Sequence, residues 1–245
     1  MQLDELCHFC DDYLSVEDFA DYCPNGLQIE GRPEVNHVVS GVTASQALIE
    51  AAIAQDADAI LVHHGYFWKG ESPVLTGFKG RRVKLLMQHD ISLIAYHLPL
   101  DAHPTVGNNA QLGQRLGWLA TGQDDLLWYG ELAQKQPVEQ VLEGLADTLD
   151  CNPLLIEGGD HGVLRVAWCT GAAQSSIERA AELGVDLFVS GEISEHTVHF
   201  AREMGIHYIA AGHHATERYG VQALGDLVAE RFAITHRFVD IDNPV

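Results

Sequence analysis

The chain has 245 residues, 47% of them hydrophobic and 20% charged. That excludes a disordered, collagen-like or coiled-coil protein and allows one or two domains with a full core. Fourteen Lys and Arg stand against 35 Asp and Glu, a formal charge of −21, and the one short basic run is Lys79, Arg81, Arg82 and Lys84; duplex nucleic acid and anionic membranes, gripped by clustered cations, are therefore poor partners.

No apolar run approaches the ~18 residues of a membrane span, and Met1–Asp12 is acidic with no basic leader, so neither a membrane helix nor a secretory signal is expected. A small anionic ligand remains compatible with the charge if cations mask it locally. The five cysteines, Cys7, Cys10, Cys23, Cys151 and Cys169, are odd in number and scattered. That is no disulfide framework, and a reducing cytoplasm is expected.

In chain order, Leu3, Leu6, Cys10 and Leu14 share one stripe and predict a first helix. Cys7 and Cys10 on it have CxxC spacing, but no second pair completes a zinc site, so ordinary helix-face cysteines are expected. Tyr22–Leu27, with Pro24 and Asn25-Gly26, reads as a turn. His37–Gly41 reads as a strand, and Ser45–Gln55 as a helix with Leu48, Ile49, Ala52 and Ile53 inward. Ala57–Val62 is a buried strand ending at His63-His64-Gly65. Arg81–His89 is a helix and Ile91–Tyr96 a buried strand, ending at His97-Leu98-Pro99-Leu100-Asp101.

From about 121 to 162 only a helix over Pro137–Leu149 is clear. The rhythm then resumes with a strand over Val163–Cys169, a helix over Ser175–Leu183 and a strand over Val185–Ser190, ending at Gly191-Glu192. A helix over Glu195–Glu203 and a strand over His207–Ala211, ending at Gly212-His213-His214, lead to a last helix from about Thr216 to Phe232. Its inward face is expected to carry Val221, Leu224, Leu227, Val228 and Phe232. Short apolar strands alternating with helices predict an α/β protein with mostly parallel sheets.

The pattern contains a repeat. Gly41–His64 laid over Cys169–Glu192, an offset of 128, matches Ala44, Gln46, Ile49, Glu50, Ala52 and Asp58. Leu93–Asp101 laid over Ile209–Glu217, an offset of 116, places His97 on His213 and Asp101 on Glu217. Two similar α/β units are inferred, assigned to residues 1–125 and 126–245 with intertwining of the two left open, and with a metal site at their interface; shared strand–helix–strand pattern alone is the competing explanation.

Open α/β sheets bind ligands at the carboxyl ends of their strands. His63, His64, His97, Asp101, Glu192, His213 and Glu217 all fall there, and imidazole with carboxylate is a ligand set for first-row metals. Adjacent strand residues point to opposite faces, but at a strand end His63 and His64 can straddle a site and take one ion each. His213 and Glu217, four apart at a helix start, share a face. Asp101 supplies the other unit's carboxylate, and Glu217 is the candidate bridge.

Two ions roughly 3.5–4 Å apart activate a water and clamp the attacking and leaving oxygens. His97 is a candidate for proton transfer or for orienting Asp101 or a substrate. Glu192 is a candidate for orienting a ligand, or a cap for the helix that follows. His103, His161, His196, His199, His214 and His236 are expected outside the site. Gly41–Ser45 could hold a phosphate at a helix start but lacks both GxGxxG and the Walker lysine, and without GxSxG no Ser-His-Asp hydrolase is expected.

Five stretches carry a family resemblance. They are Pro24-Asn25-Gly26-Leu27-Gln28, Gly41-Val42-Thr43-Ala44-Ser45, His63-His64-Gly65-Tyr66-Phe67-Trp68, His97-Leu98-Pro99-Leu100-Asp101-Ala102-His103, and Ala211-Gly212-His213-His214-Ala215-Thr216-Glu217-Arg218. Through them nearly the whole chain resembles the NIF-three-like family, whose bacterial members are described as GTP cyclohydrolase I type 2 homologues; residues 121–160 and the CxxC match least. The resemblance implies two similar α/β domains, a toroidal homohexamer, and a dinuclear metal site ligated by His63, His64, Asp101, His213 and Glu217.

The expected activity is metal-dependent hydrolysis of a small cyclic or nucleotide-like substrate. His63, Asp101 and Glu217 would hold one divalent ion and His64, His213 and Glu217 the other, with His97 moving a proton. Zn, Mn, Fe and Ni all suit the donors. The alternative is a metal-loaded, non-catalytic hexameric scaffold that binds a partner. A ring around DNA is third and disfavoured by charge.

Overall fold

The structure, a computed structural model, describes residues 1–245. Its elements in order are α1 (Leu3–Tyr13), β1 (Gly26–Ile29), β2 (His37–Thr43), α2 (Gln46–Ala54), β3 (Ala59–His64), α3 (Gly77–Gln88), β4 (Ser92–Ala95), α4 (Leu98–Ala102), α5 (Asn108–Arg115), β5 (Leu119–Asp124) and β6 (Leu127–Gln136). There follow α6 (Val138–Leu149), β7 (Leu154–Ile156), β8 (Val163–Cys169), α7 (Ile177–Glu182), β9 (Leu187–Ser190), α8 (Glu195–Met204), β10 (His207–Ala210), α9 (His213–Phe232) and β11 (Thr235–Phe238).

The chain gathers into two compact units: Met1–Gly107 with Gly220–Asp242, and Asn108–Tyr219 with Asn243–Val245. These limits differ from a single break at 125/126. The chain leaves the first unit after Gly107 and rejoins it within α9. Along α9, Ala215 and Tyr219 belong to the core of the second unit, and Val221, Leu224 and Val228 to that of the first.

The first unit holds a five-stranded sheet in the order β1-β4-β3-β2-β11, parallel throughout except where β1 pairs with β4. Adjacent strand residues alternate between two cores, as the pleat requires. Val38, Leu61 and Ile94 pack with Leu3, Leu6 and Cys10 of α1, with Leu14 just after it, and with Val221, Leu224 and Val228 of α9. Val39, Ile60 and Leu93 pack on the other face with Leu48, Ile49 and Ala52 of α2 and with Val83 and Leu86 of α3. Burying each of the Val, Leu and Ile side chains among these contributes about 1.5–3 kcal/mol. Ser45 caps α2, its hydroxyl accepting from Leu48 N at 3.2 Å.

The second unit holds a six-stranded sheet in the order β5-β6-β8-β9-β10-β7. Its centre, β8-β9-β10, is parallel, and its flanks are antiparallel. The expectation of mostly parallel sheets thus describes the first sheet and only the middle of the second. Val166, Trp168, Leu187, Val189 and Ile209 pack with Leu112 and with Val141, Leu145 and Leu149 of α6. Ala167, Phe188 and Tyr208 face Ile177, Ala180 and Ala201 of α7 and α8.

The repeat extends to individual hydrogen bonds. At offset 128, α2 falls on the 3-10 turn Gln174–Ser176 continued by α7, and the start of β3 on the start of β9. Asp58 Oδ2 accepts from the backbone N–H groups of Asn36 and His37 at 2.8 and 3.0 Å. Asp186 Oδ2 accepts from those of Leu164 and Arg165, both at 2.8 Å. Ser92 N donates to Asp58 O and His207 N to Asp186 O, each at 3.0 Å, and Tyr96 N donates to Val62 O as Ala211 N does to Ser190 O. Those last strands correspond at offset 115, whereas His97 and His213 correspond at 116. The extra residue is Gly212, at φ +93°, a conformation glycine adopts without penalty.

No helix is long and apolar enough to cross a membrane. Cys7 and Cys10 are buried in α1 as helix-face residues. Burial, then the nearby Asp11 and Asp4 charges, push the Cys7 thiol up to about 12.

Candidate functional site

Each unit gathers its histidines and acids at the carboxyl ends of its parallel strands, and each set is built separately. In the first unit, β3 ends in His63 and His64, and β4 runs into His97, the residue before α4. His63 is fully buried. Its Nδ1 donates to Tyr96 O at 2.9 Å, which leaves the lone pair on Nε2, 3.5 Å from Asp101 Oδ1. His64 Nδ1 lies 3.2 Å from Thr43 Oγ1. The His63 ring centroid is 4.6 Å from that of His64 and 5.0 Å from that of His97. One ring nitrogen from each of the three lies within 4.8 Å of the other two, near enough for one ion.

His97 is held by two residues that sequence reasoning did not single out. Asp21 Oδ1 lies 3.0 Å from His97 Nδ1, and Asp21 Oδ2 accepts from Leu98 N at 3.0 Å. Asn25 Oδ1 accepts from His97 N at 2.7 Å, and Asn25 Nδ2 donates to Asp21 Oδ2 at 3.0 Å. Burial alone would raise the Asp21 carboxyl. The bonds from His97 and Asn25, the His97 charge and the Leu98 N–H outweigh it and hold Asp21 well below the usual carboxylate range. The one local signal was Asp21 standing four residues before Asn25-Gly26. Cys23 lies beside Asp21 and His97, but burial and then the Asp21 charge push its thiol up to about 12, which makes it a poor ligand.

In the second unit, β9 leads to Glu192 and β10 to His213, the first residue of α9. His213 Nδ1 lies 2.8 Å from Glu192 Oε1 and Nε2 3.1 Å from Glu217 Oε2, one helical turn on. Glu192 therefore orients His213. It does not cap α8, because Ser194 does so through Thr197 N. Burial alone would lower the His213 pKa; Glu217 and then Glu192 reverse this and raise it to about 9.

The backbone closes in around this pair. A Cβ on Gly171, at φ +69°, would lie 2.1 Å from Glu217 Oε1, and one on Gly191 would lie 2.7 Å from His213 Cα. Gly171 is pinned in place: its N–H donates to Thr216 Oγ1 at 3.1 Å, and its carbonyl accepts from Gly191 N at 2.9 Å and Ser190 Oγ at 3.1 Å.

The donors fit a divalent first-row cation. A metal-ligating histidine commonly donates its other ring N–H to a carboxylate or backbone carbonyl. His63 does so to Tyr96 O, and His213 to Glu192. The structure thus brings His63, His64, His97 and Asp101 together in one unit, and Glu192, His213 and Glu217 in the other. The remaining histidines lie elsewhere. His196 pairs with Glu178, His161 stacks on His207, His103 Nδ1 accepts from Val106 N, and His199 is exposed.

His236 links Ser40 Oγ (2.7 Å from Nε2) to Asp226 Oδ1 (2.8 Å from Nδ1). The connectivity is that of a hydrolase triad, but Ser40 is fully buried and the chain serves to tie β2, α9 and β11 together.

An α/β protein of two repeated units, each presenting histidine and carboxylate at its strand ends, defines the class. The chain belongs to the Duf34/NIF3 (NGG1p interacting factor 3) family, which it matches over residues 1–244. It is 58% identical over 248 residues to the "GTP cyclohydrolase 1 type 2 homolog" of Allochromatium vinosum, covering 98% of this chain and 96% of that one. A solved structure described as "protein ybgI, unknown function" is 48% identical, with a TM-score of 0.98 and complete coverage of both chains. The protein TTHA1606 from Thermus thermophilus is 35% identical, with a TM-score of 0.92, again covering both chains fully.

Proposed function

We propose that the two donor sets together hold two divalent cations, drawn from Zn, Mn, Fe or Ni, and that the protein is a metal-dependent hydrolase of a nucleotide-like small molecule. His63, Asp101 and Glu217 would ligate one ion, and His64, His213 and Glu217 the other. The supporting observation is the matched orientation of His63 and His213, each with Nδ1 committed to an acceptor and Nε2 turned toward a carboxylate. Bound cations would supply Lewis acidity and a water acidic enough to react near neutral pH. His97, steered through Nδ1 by Asp21, would carry a proton on Nε2. The names of its relatives make GTP the first substrate to try. Assembly as a homohexamer and a cytoplasmic location belong to the same reading.

The test is protein purified without chelators, with metals counted by elemental analysis and turnover measured on GTP and a panel of nucleotides and phosphoesters. About two metals per chain, with metal-dependent hydrolysis abolished in Glu217→Ala, supports the proposal. Metals without turnover would replace it with a non-catalytic scaffold, and no metal after reconstitution would overturn both. A solution mass of six times 26.9 kDa is expected for the hexamer.

A further inference from the structure

The loop after β3 carries a strained residue. Phe67 sits at φ +66°, a region that bulky side chains avoid, and such strain persists only where the surroundings enforce it. Glu71 Oε2 accepts from the backbone N–H groups of Phe67 and Trp68 at 3.1 and 3.3 Å. Lys79, only 6% exposed, grips Glu71 at 2.8 Å, donates to Ser72 O at 3.3 Å and lies 4.7 Å over the Phe67 ring. Trp68 Nε1 donates to Gly65 O at 3.3 Å, and Lys69 N donates to Tyr22 O at 2.7 Å, tying this loop to the segment that carries Tyr22.

The outcome is the placement of two rings that belong to neither hydrophobic core of the first unit. Tyr22 and Trp68 have centroids 6.1 Å apart, each 5.1 Å from the His97 ring, and Trp68 is 6.0 Å from His64. Tyr22 is 52% exposed. A loop that only linked β3 to α3 would need neither a buried lysine nor a strained phenylalanine. Here both hold the loop that sets the Trp68 ring beside His64 and His97. The charge of −21 disfavours holding a nucleotide by its phosphates without bound cations, and stacking on its ring supplies a separate source of affinity.

We propose that Tyr22 and Trp68 form a stacking platform for the planar base of a nucleoside ligand, seated beside His64 and His97. The inference rests on the reading of the neighbouring donors as a site for a nucleotide-like substrate, and it names the part of that substrate this unit recognises. Every nucleobase offers a π face, so the platform tolerates different bases.

The experiment is equilibrium dialysis of metal-loaded protein with guanosine, adenosine, cytidine and uridine, and separately with inorganic triphosphate. It is run on the wild type, Tyr22→Leu, Tyr22→Phe and Trp68→Leu, with metal content measured on each sample. Expected is saturable nucleoside binding, weakened roughly 5- to 150-fold by each leucine variant and retained by Tyr22→Phe. Triphosphate binding and metal content stay unchanged. Tyr22 is exposed and carries the test if Trp68→Leu does not fold. Equal nucleoside binding by Tyr22→Leu and wild type overturns the platform, as does absence of nucleoside binding by the wild type. Nucleoside binding lost with Tyr22 in a protein that takes up no cation keeps the platform and removes the hydrolase reading. Two cations without nucleoside binding does the reverse.

Discussion

Replacing Gly171 with alanine puts a methyl group 2.1 Å from Glu217 Oε1 and 3.3 Å from His213 Nε2. The backbone cannot retreat, because Thr216, Gly191 and Ser190 hold both its N–H and its carbonyl. Glu217 must move instead. Two terms add. An alanine at φ +69° carries left-handed strain of about 1–2 kcal/mol, and crowding a packed site costs about 1–3 kcal/mol more. Gly117 separates them: its φ is +68° and nothing lies within 4 Å of its would-be Cβ, so Gly117→Ala carries the strain alone.

For a chain of this size 1 kcal/mol moves the melting temperature by about 2–4 °C. Gly117→Ala is therefore expected to lower Tm by about 2–8 °C, and Gly171→Ala by about 4–20 °C. Divalent-metal affinity, measured by titration monitored with a competing chelator, is expected to fall roughly 10- to 100-fold in Gly171→Ala and to be unchanged in Gly117→Ala. If both variants melt together and bind metal equally, the cradle around Glu217 does not exist as described.

Three further outcomes follow from the fold. Asp58→Ala and Asp186→Ala each strand two backbone donors at a strand start, and each is expected to lose about 1–3 kcal/mol in urea denaturation; an effect confined to one unit would contradict the structural repeat. Gly225→Ala sets a methyl group 2.2 Å from His236 Nε2 and is expected to destabilise, whereas Gly144→Ala, in open space on α6, is expected to gain up to about 1 kcal/mol of helix propensity; thermal melts showing the opposite order would refute the packing of α9. Cys7 and Cys23 have thiols pushed up to about 12, first by burial. A folded pKa above the unfolded value of about 8.5 means that their contribution to stability is intact below about 8.5 and is lost as pH rises toward 12. Denaturation midpoints should fall across that window and both thiols should resist alkylation at pH 8 until the chain unfolds; rapid native labelling would refute this.

What the sequence made legible is what burial simplifies. β2, β3, β8 and β9 are covered on both faces, so they read as short apolar runs. The edge strands do not: β5 is almost wholly exposed and shows no alternation, and β1 lies in a segment whose Pro24 and Asn25-Gly26 read only as a turn. α5 was hidden by buried polar residues, since Asn109 serves the neighbouring backbone, its Oδ1 accepting from Thr170 N and its carbonyl from Trp168 Nε1. The candidate donors were visible because a tandem His63-His64 and a His-x-x-x-Glu are local patterns. Asp21 was not, because its partner His97 lies 76 residues away and nothing in the intervening sequence marks the pairing.

β11 pairs in parallel with β2, Thr235 opposite His37, although almost the whole chain separates them. During synthesis the first sheet therefore stays incomplete until the final residues emerge, while every strand of the second sheet has already left the ribosome by Ala210. The usual order, in which the domain begun first is finished first, is inverted for the two sheets: all strands of the inserted unit's sheet precede the strand that completes the sheet of the unit enclosing it in sequence. Until then β2 presents an unpaired edge next to Val38, Val39 and Val42, the kind of edge onto which another nascent chain can add. The last strand closes that edge, so a chain ending short of Phe238 would be prone to aggregate even with every candidate ligand present.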